Sequence, residues 1–307
     1  MLIDYIIRRL IFAVPVLLGV SLITFILLNV VPGDPVVEML GKHADPAAVE
    51  KIRNQLGLND PLYIQFGRFL WNACRGDLGK SFKTGQPVTK MILDTFPTTV
   101  KLALSSAFVA IVVGLTVGII SAVKQYSFFD HASMIVALAG ISAPIFWVAV
   151  VGQLIFGLHL KWLPISGYST PKHIILPAVV LGIRFAASIA RYTRSTFLDV
   201  IRQDYIRTAR AKGLAERAVI FGHALKNALI PVVTVIGMQI SGLLTGSILT
   251  ETIFAIPGLG RLSLWALSNR DFPLVQGIVL FTAVIFVIGN LIVDISYAFL
   301  DPRVRLQ

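Results

Sequence analysis

The stretch of the chain whose residue types and spacing most resemble a working part is DYIRTARAKG at 204–213, followed nine residues later by HALK at 223–226. Basic and small residues alternate there, a pattern suited to docking against a surface and not to making or breaking bonds. Asp204 can cap a short helix whose N–H groups would otherwise be unpaired, and Gly213 is the residue type that ends one in the left-handed conformation. The spacing predicts a helix of two turns over 205–212, with Arg207, Arg210 and Lys212 toward its C-terminal half, where the dipole favours cations. Leu198, Ile201, Tyr205 and Ala209 recur at steps of three and four and form an apolar stripe that must pack on something. Ala209 and Ala211 hold no bulk, so a partner surface can come close. A helix this short is marginal alone in water and needs docking. Two readings are open: a basic loop lying on anionic headgroups, each cation worth about 1 kcal/mol there, or a knob pressed into a protein groove. Only the second explains the cap, the glycine stop and the small residues.

Other candidates for chemistry are few. The chain has no G-x-x-x-x-G-K-[ST] phosphate cradle and no H-E-x-x-H, and its scattered serines have no paired base at recognisable spacing. Cys74 is the only cysteine, so no intrachain disulfide and no cysteine-based metal site are expected. His159 and His223 fall at a span end and in the basic insert, where surface histidines are ordinary. No catalytic residue and no metal or cofactor of the chain's own is expected. Arg184 is the outlier: it stands in the middle of an apolar run, where a cation costs at least about 2.5 kcal/mol unless it faces protein or water. It can line a pathway and meet an anionic group of a cargo, pair with an acid such as Asp294, or sit nearer the interface if its span starts later. Pro144 interrupts another apolar run and is expected to kink it, as a gate or only as a feature of shape. Glu251 and the run Pro257-Gly258-Leu259-Gly260 could close a mouth or form an ordinary turn. Asp294 and Asp301 read as partners for Arg303 or Arg305 rather than as a proton relay.

The elements that must position these residues are set by composition. Of 307 residues 56% are hydrophobic and 14% charged, against roughly 25% charged in soluble domains. The net charge of +11 clusters beside apolar spans, as positive-inside charges do, which argues against nucleic acid as a partner and for a lipid membrane. Apolar runs at 10–31, 99–123, 132–158, 174–192, 228–250 and 274–299 are near the length a hydrocarbon core requires. No A-x-A-like cleavage site follows the first, which reads as an uncleaved helix. Six spans put both termini on one side. Arg8, Arg9, Lys124, the eight Lys/Arg between Arg191 and Lys226, and Arg303 and Arg305 mark that side as cytoplasmic.

The outer region after the first span reads as helical. Asp45-Pro46 and Asp60-Pro61 are start signals, Val49, Ile52 and Leu56 and then Leu62, Phe66, Phe69, Leu70 and Ala73 form stripes, and Gly57 and Gly76 are stops. It is either a cap over the span ends or a docking surface for an extracytoplasmic partner. Gly114-x-x-x-Gly118 and Gly242-x-x-x-Gly246 predict close helix approach.

TARAKG followed by HALKNALIP resembles the cytoplasmic signature loop of bacterial ABC-importer permeases, E-A-A-x3-G-x9-I-x-L-P. Aligned on Gly213, Ala209 and Leu225 match, while Arg207, Thr208, His223 and Lys226 replace the glutamate, first alanine, isoleucine and proline. These departures resemble the dipeptide, oligopeptide, nickel and glutathione branch. So do VPGDP (31–35), LGLNDPLYIQF (56–66), RGDLGKSF (75–82), ARYTRS (190–195), GSILTETIFAIPGLG (246–260) and VDISYAFLDPRVR (293–305).

The resemblance implies an all-α membrane protein of six transmembrane helices with the type I importer permease fold. Its parts would be an N-terminal helix at 1–31, an extracytoplasmic helical region at 32–94, a permease domain at 95–300 with a coupling loop at 193–227, and a cytoplasmic tail at 301–307. It further implies a bacterial cytoplasmic-membrane subunit that forms a pathway for small peptides or a related ligand with a second homologous permease. Two partner ATP-binding subunits would hold ATP and Mg, and an extracytoplasmic substrate-binding protein would deliver cargo. Residues 204–214, Asp204 through Leu214, together with Leu225, would then carry ATPase coupling. The competing class is an ion-coupled carrier or channel acting alone, which ordinarily needs intramembrane carboxylates or histidines.

Overall fold

The computed structural model describes residues 2–30, 35–40 and 45–300. A long helix α1 (Leu2–Val30) precedes an outer layer of short helices, α2 (Pro35–Leu40), α3 (Pro46–Leu56) and α4 (Leu62–Ala73). The start and stop signals are used as the sequence dictates. The Asp45 side chain accepts from the Ala47 amide at 3.1 Å, and Gly57 ends α3 at φ +65°. Gly76, at φ +80°, turns the chain after α4. Phe66, Phe69, Leu70 and Ala73 are half-buried on the inner face of α4, but Leu62 is exposed, together with Tyr63 and Trp71.

The main helical bundle begins with α5 (Val88–Val123), α6 (Phe128–Ser142) and α7 (Ile145–Gly152), the last running into a wide turn at Gln153–His159. It continues through α8 (Lys172–Ile201), α9 (Asp204–Ala211), α10 (Glu216–Ala218), a second wide turn at Val219–Ala224 and α11 (Leu225–Leu244). Two short helices, α12 (Ile248–Ile253) and α13 (Leu259–Ser268), lead to α14 (Phe272–Leu300). Among the described residues five helices are long and apolar enough to cross a membrane, or six if α6 and the segment Ile145–His159, bent by 104°, form one broken span. Pro144 is the cause of the break. It lacks an N–H, and it drives Ala143 before it to φ −68°, ψ 132°, outside the helical region. The expected kink is therefore a complete interruption.

The centre of the core is the crossing of α5 with α8. A Cβ on Gly114 would lie 2.7 Å from Ile189 Cβ, one on Gly118 2.7 Å from the Ala190 carbonyl oxygen, and one on Gly182 2.8 Å from the Ser106 carbonyl oxygen. Backbones this close allow dense dispersion contact, which is what holds helices together where hydrophobic exclusion from water is absent. The second glycine pair behaves otherwise. Gly242 has nothing within 4 Å, and Gly246 lies beyond α11 at φ +99° against Gly260. The fifth span accordingly ends at Leu244, short of the expected 250, because the chain turns there into α12.

Side-chain ties fasten the remaining helices. Arg194 grips Asp130 with both nitrogens, Nε at 2.6 Å and Nη2 at 2.8 Å, and so fixes the start of α6 to α8. Asp294 of α14 pairs with Arg9 of α1 at 3.1 Å, in place of the pairing with Arg184 that the sequence offered. Asp301, Arg303 and Arg305 lie outside the described residues. At the outer end Asp271, fully buried, accepts from the Ser81 hydroxyl and from the Phe82 amide, seating the loop 76–87 on the start of α14.

Because the Gly118 contact is with backbone, Gly118→Val should destabilise the protein by about 1–3 kcal/mol through overpacking. Gly242→Ala should leave it nearly unchanged. The melting temperature of the detergent-purified protein compares the two.

Candidate functional site: a docked helix, a lid and an exposed arginine

The basic insert folds as two turns, Asp204–Ala211, one residue earlier than the sequence predicts. Gln203 takes the N-cap position and Asp204 is the first helical residue, with no side-chain cap. Its carboxylate lies on the surface near Arg207, at 3.6 Å. The stop is as expected: Gly213 adopts φ +78°, its amide bonds to the Arg210 carbonyl at 2.9 Å and the Leu214 amide reaches the Ala209 carbonyl at 3.4 Å. These two bonds complete a Schellman C-terminus.

The packing of α9 differs from the sequence expectation. Ile206 and Ala209 are its buried residues and enter a cluster with Ala122 of α5, Phe197 of α8, and Val219, Ile220, Ala224 and Ala228. Ala209 thus admits the chain's own bundle, not a partner. Leu198, Ile201 and Leu225 pack against the same cluster, whereas Tyr205 points outward and its hydroxyl accepts from Asn227 Nδ2 at 2.8 Å. Arg210 holds Glu216 with Nη2 at 2.7 Å and Nε at 3.2 Å, clipping the turn after Gly213. Asp204, Arg207, Thr208, Ala211, Lys212, Gly213 and Leu214 remain exposed. The helix is fixed on one face and free on the other.

At the opposite end, residues 246–261 fold around one carboxylate. Glu251 is fully buried. Its Oε1 accepts from the Thr99 hydroxyl at 3.0 Å and its Oε2 from the Arg261 amide at 3.0 Å. The Thr99 oxygen in turn accepts from the Leu259 amide at 2.7 Å. Donors of the first turn of α13, which would otherwise be orphaned, are thereby satisfied from α12 and α5. Burial pushes the Glu251 carboxyl above the ordinary glutamate range, while the Arg261 amide, Thr99 hydroxyl and Gly260 amide act against that rise.

Both glycines of the run are required by this approach. A Cβ on Gly258 would stand 2.5 Å from Glu251 Cδ, and one on Gly260 2.8 Å from the Ile248 nitrogen. Pro257, just before them, is exposed. The segment is also tied sideways. Gln153 Nε2 donates to the Ile165 and Ile253 carbonyls at 2.9 and 3.2 Å, and the Gly167 amide to the Phe254 carbonyl at 2.8 Å. Phe254, Ile256 and Leu259 are buried beneath it. The structure thus brings Glu251, Gly258 and Gly260 together, while Pro144 sits at the α6–α7 break and Arg184, exposed, lies thirteenth of the 30 residues of α8. Its helix begins at Lys172 and runs to Ile201.

Sequence reasoning missed Thr99 and Gln153, which carry no local signature. It also missed Asp130 and Arg194, although the Ser127-x-x-Asp130 spacing is a capping-box signal, and Asp130 N does bond to Ser127 Oγ at 3.2 Å.

A sequence model described as "Binding-protein-dependent transport system inner membrane component" matches residues 114–306, and one described as its N-terminal component matches 1–103. The chain belongs to this family. It is a multi-pass transmembrane subunit of an ABC importer. The Di/tripeptide transport system permease protein DppB of Pseudomonas aeruginosa is 42% identical, with 100% of both chains covered. The Dipeptide transport system permease protein DppB of Alkalihalophilus pseudofirmus is 43% identical over 98% of this chain and 99% of its own. The Glutathione transport system permease protein GsiC of Escherichia coli is 42% identical, again with 100% of both covered. Among solved structures, an inward-facing MetNI methionine ABC transporter aligns with a TM-score of 0.60 at 17% identity, covering 69% of this permease and 96% of that chain. That likeness bears on the fold alone.

Glu251→Gln turns an amide NH2 toward groups that are themselves donors, and should lower stability by about 1–3 kcal/mol. Thr99→Val should do the same, with the double variant less than additive. A folded carboxyl raised above its unfolded value adds stability at low pH that is lost as pH rises through the raised value. The wild type should therefore gain on Glu251→Gln as pH falls from neutral toward the ordinary glutamate range. Melting curves of the four proteins across pH test both points.

Proposed function

We propose that this permease forms, with a second homologous permease, the route by which small peptides, or a related ligand such as glutathione, enter the cell, and that α9 is the handle by which partner ATPases drive it. The observation that carries the coupling role is the division of α9 into a face locked to the bundle by Ile206 and Ala209 and a face of exposed polar and small residues, closed by the Gly213 stop. A lever needs both a rigid root and a free surface. On this reading two ATP-binding subunits, which hold ATP and Mg, seat Tyr205, Arg207, Thr208, Ala211, Lys212 and Leu214 in a groove. Arg210 and Leu225 act from behind, the first by clipping Glu216 and the second by packing the root. The chain performs no bond chemistry itself.

An extracytoplasmic binding protein delivers cargo on the side of α12 and α13. There the segment held by Glu251, Pro257, Gly258 and Gly260 acts as the outer lid, and the break at Pro144 shapes the wall beside it. Both termini lie in the cytoplasm. Helix α1 and the outer region up to residue 94 are additions to the permease domain proper, 95–300. The peptide cargo is supported by the names of full-length relatives at 42–43% identity.

Gly213→Val forces a β-branched residue to positive φ, at a cost of about 1–3 kcal/mol, although nothing lies within 4 Å of its Cβ position. Dipeptide uptake by the assembled transporter should fall at least about ten-fold, one decade per 1.4 kcal/mol of misplacement, while Gly213→Asn, which tolerates that conformation, should retain it. Normal ATP-driven uptake in the valine variant would refute the handle.

A further inference from the structure

One face of α8 is neither packed nor apolar, and what it is built for can be read on the assumption, made above, that this chain walls a transport route. From Arg184, steps of four, three, four, four and three residues lead through Ser188, Arg191, Ser195 and Asp199 to Arg202. At 3.6 residues per turn these six fall within an arc of about 80° along about 27 Å of helix. All are exposed except Ser188, which is half-buried. The bundle grips α8 from other directions: Gly114 and Gly118 of α5 meet Ala186, Ile189, Ala190 and Thr193, Asp130 of α6 holds Arg194, and Val232 of α11 joins Ala186 and Ile189.

This face cannot be turned to lipid. Arg184 stands ten residues past the start of the apolar run 174–192, where an arginine in hydrocarbon costs at least about 2.5 kcal/mol. Nor is the charge neutralised within the chain. Among the described residues no carboxylate lies within 4 Å of Arg184, Arg191 or Arg202, the ion pairs of the core being Arg9–Asp294 and Arg194–Asp130. Asp199 is the single acid of the arc and sits near its cytoplasmic end, so the deeper half carries Arg184 and Arg191 alone. The serines between them offer hydroxyls that donate or accept. Arg184 and Arg191 are about 10.5 Å apart along the axis, a gap that Ser188 bridges.

We propose that this stripe is an anion-selecting lane, which takes the carboxylate of the cargo from Arg184 past Ser188 to Arg191 and on to the cytoplasmic mouth. A narrow water-filled passage with fixed positive charge concentrates anions and repels cations.

The test uses the transporter assembled with its partner subunits, with Cys74→Ser removing this chain's only cysteine and the same preparation without an introduced cysteine giving the labelling background of the partners. Ser188→Cys and Ser195→Cys are each labelled with two thiosulfonate reagents, one bearing a sulfonate and one a trimethylammonium group. Both positions should react, and the anion-to-cation rate ratio should fall about ten-fold when Arg184 and Arg191 are both replaced by Gln. Arg184→Lys with Arg191→Lys should keep the ratio, and serves also if the glutamine pair fails to assemble, in which case a lost ratio overturns the lane. No labelling at either position, with or without ATP, would mean a face packed against the second permease or lipid and would overturn it too. So would a ratio indifferent to the arginines. Failure of the parent reading shows separately, as absence of copurifying ATPase activity in the same preparation before labelling.

Discussion

A charge carried into apolar surroundings has to find its counterpart inside the protein, and this constraint organises the permease from end to end. Water is not there to satisfy it, so each of the buried carboxylates Asp130, Glu251 and Asp271 specifies a neighbour. Asp130 specifies Arg194 and thereby the seat of α6 on α8. Asp271 specifies Ser81 and the Phe82 amide, and thereby the seat of the outer loop on α14. Glu251 specifies Thr99 and the first turn of α13, and so ties α12 and α13 to α5. Where the constraint goes unmet, along Arg184, Arg191 and Arg202, the exception is as informative as the rule. Unpaired arginines on one face require water or another subunit beside it.

The second organising feature is close backbone approach. The glycines of α5 and α8 bring these helices near enough to act as one body, and the cluster that roots α9 takes Ala122 from the first and Phe197 from the second. Burying Ile206 and Ala209 there does two things. It stabilises a two-turn helix that would not persist alone, and it makes any displacement of that helix a displacement of the central pair.

Much of this was legible in the sequence because local chemistry dictates it. The Asp45 cap, the Gly57 and Gly213 stops and the Gly114/Gly118 approach each follow from what one residue type can do at one backbone position. The interruption at Pro144 was legible in place but not in degree, since the size of a bend depends on what packs on both sides. The errors share a cause. Ala209 was read as facing a partner because its smallness is visible and its direction is not. Asp294 was offered as a partner for Arg184, whereas among the described residues it pairs with Arg9, 285 positions away. Thr99 and Glu251, 152 positions apart, meet only because α5 returns to the outer surface where α12 turns. Pairings of that range are set by topology, and periodicity carries no record of them.

Helix α5 joins these observations. Thr99 near its N-terminal end holds Glu251 of α12, and Ala122 near its C-terminal end enters the root of α9. Between them run 23 residue steps, about 35 Å, with no proline to absorb a bend and with Gly114 and Gly118 locked to α8. A helix so braced does not flex in the middle. It tilts or slides as a rod, and what moves one end moves the other. The proposed coupling of α9 to a lid at 246–261 therefore needs no chain of individually coupled side chains between them. The requirement is that the lid have two stable arrangements for the rod to select between. A carboxylate held by one hydroxyl and the amides of a helix start supplies a discrete contact that is either made or broken, because a half-formed hydrogen bond to a buried charge retains the desolvation cost and loses the compensation. On the proposed reading, burial of Glu251 would turn a continuous tilt into a switch.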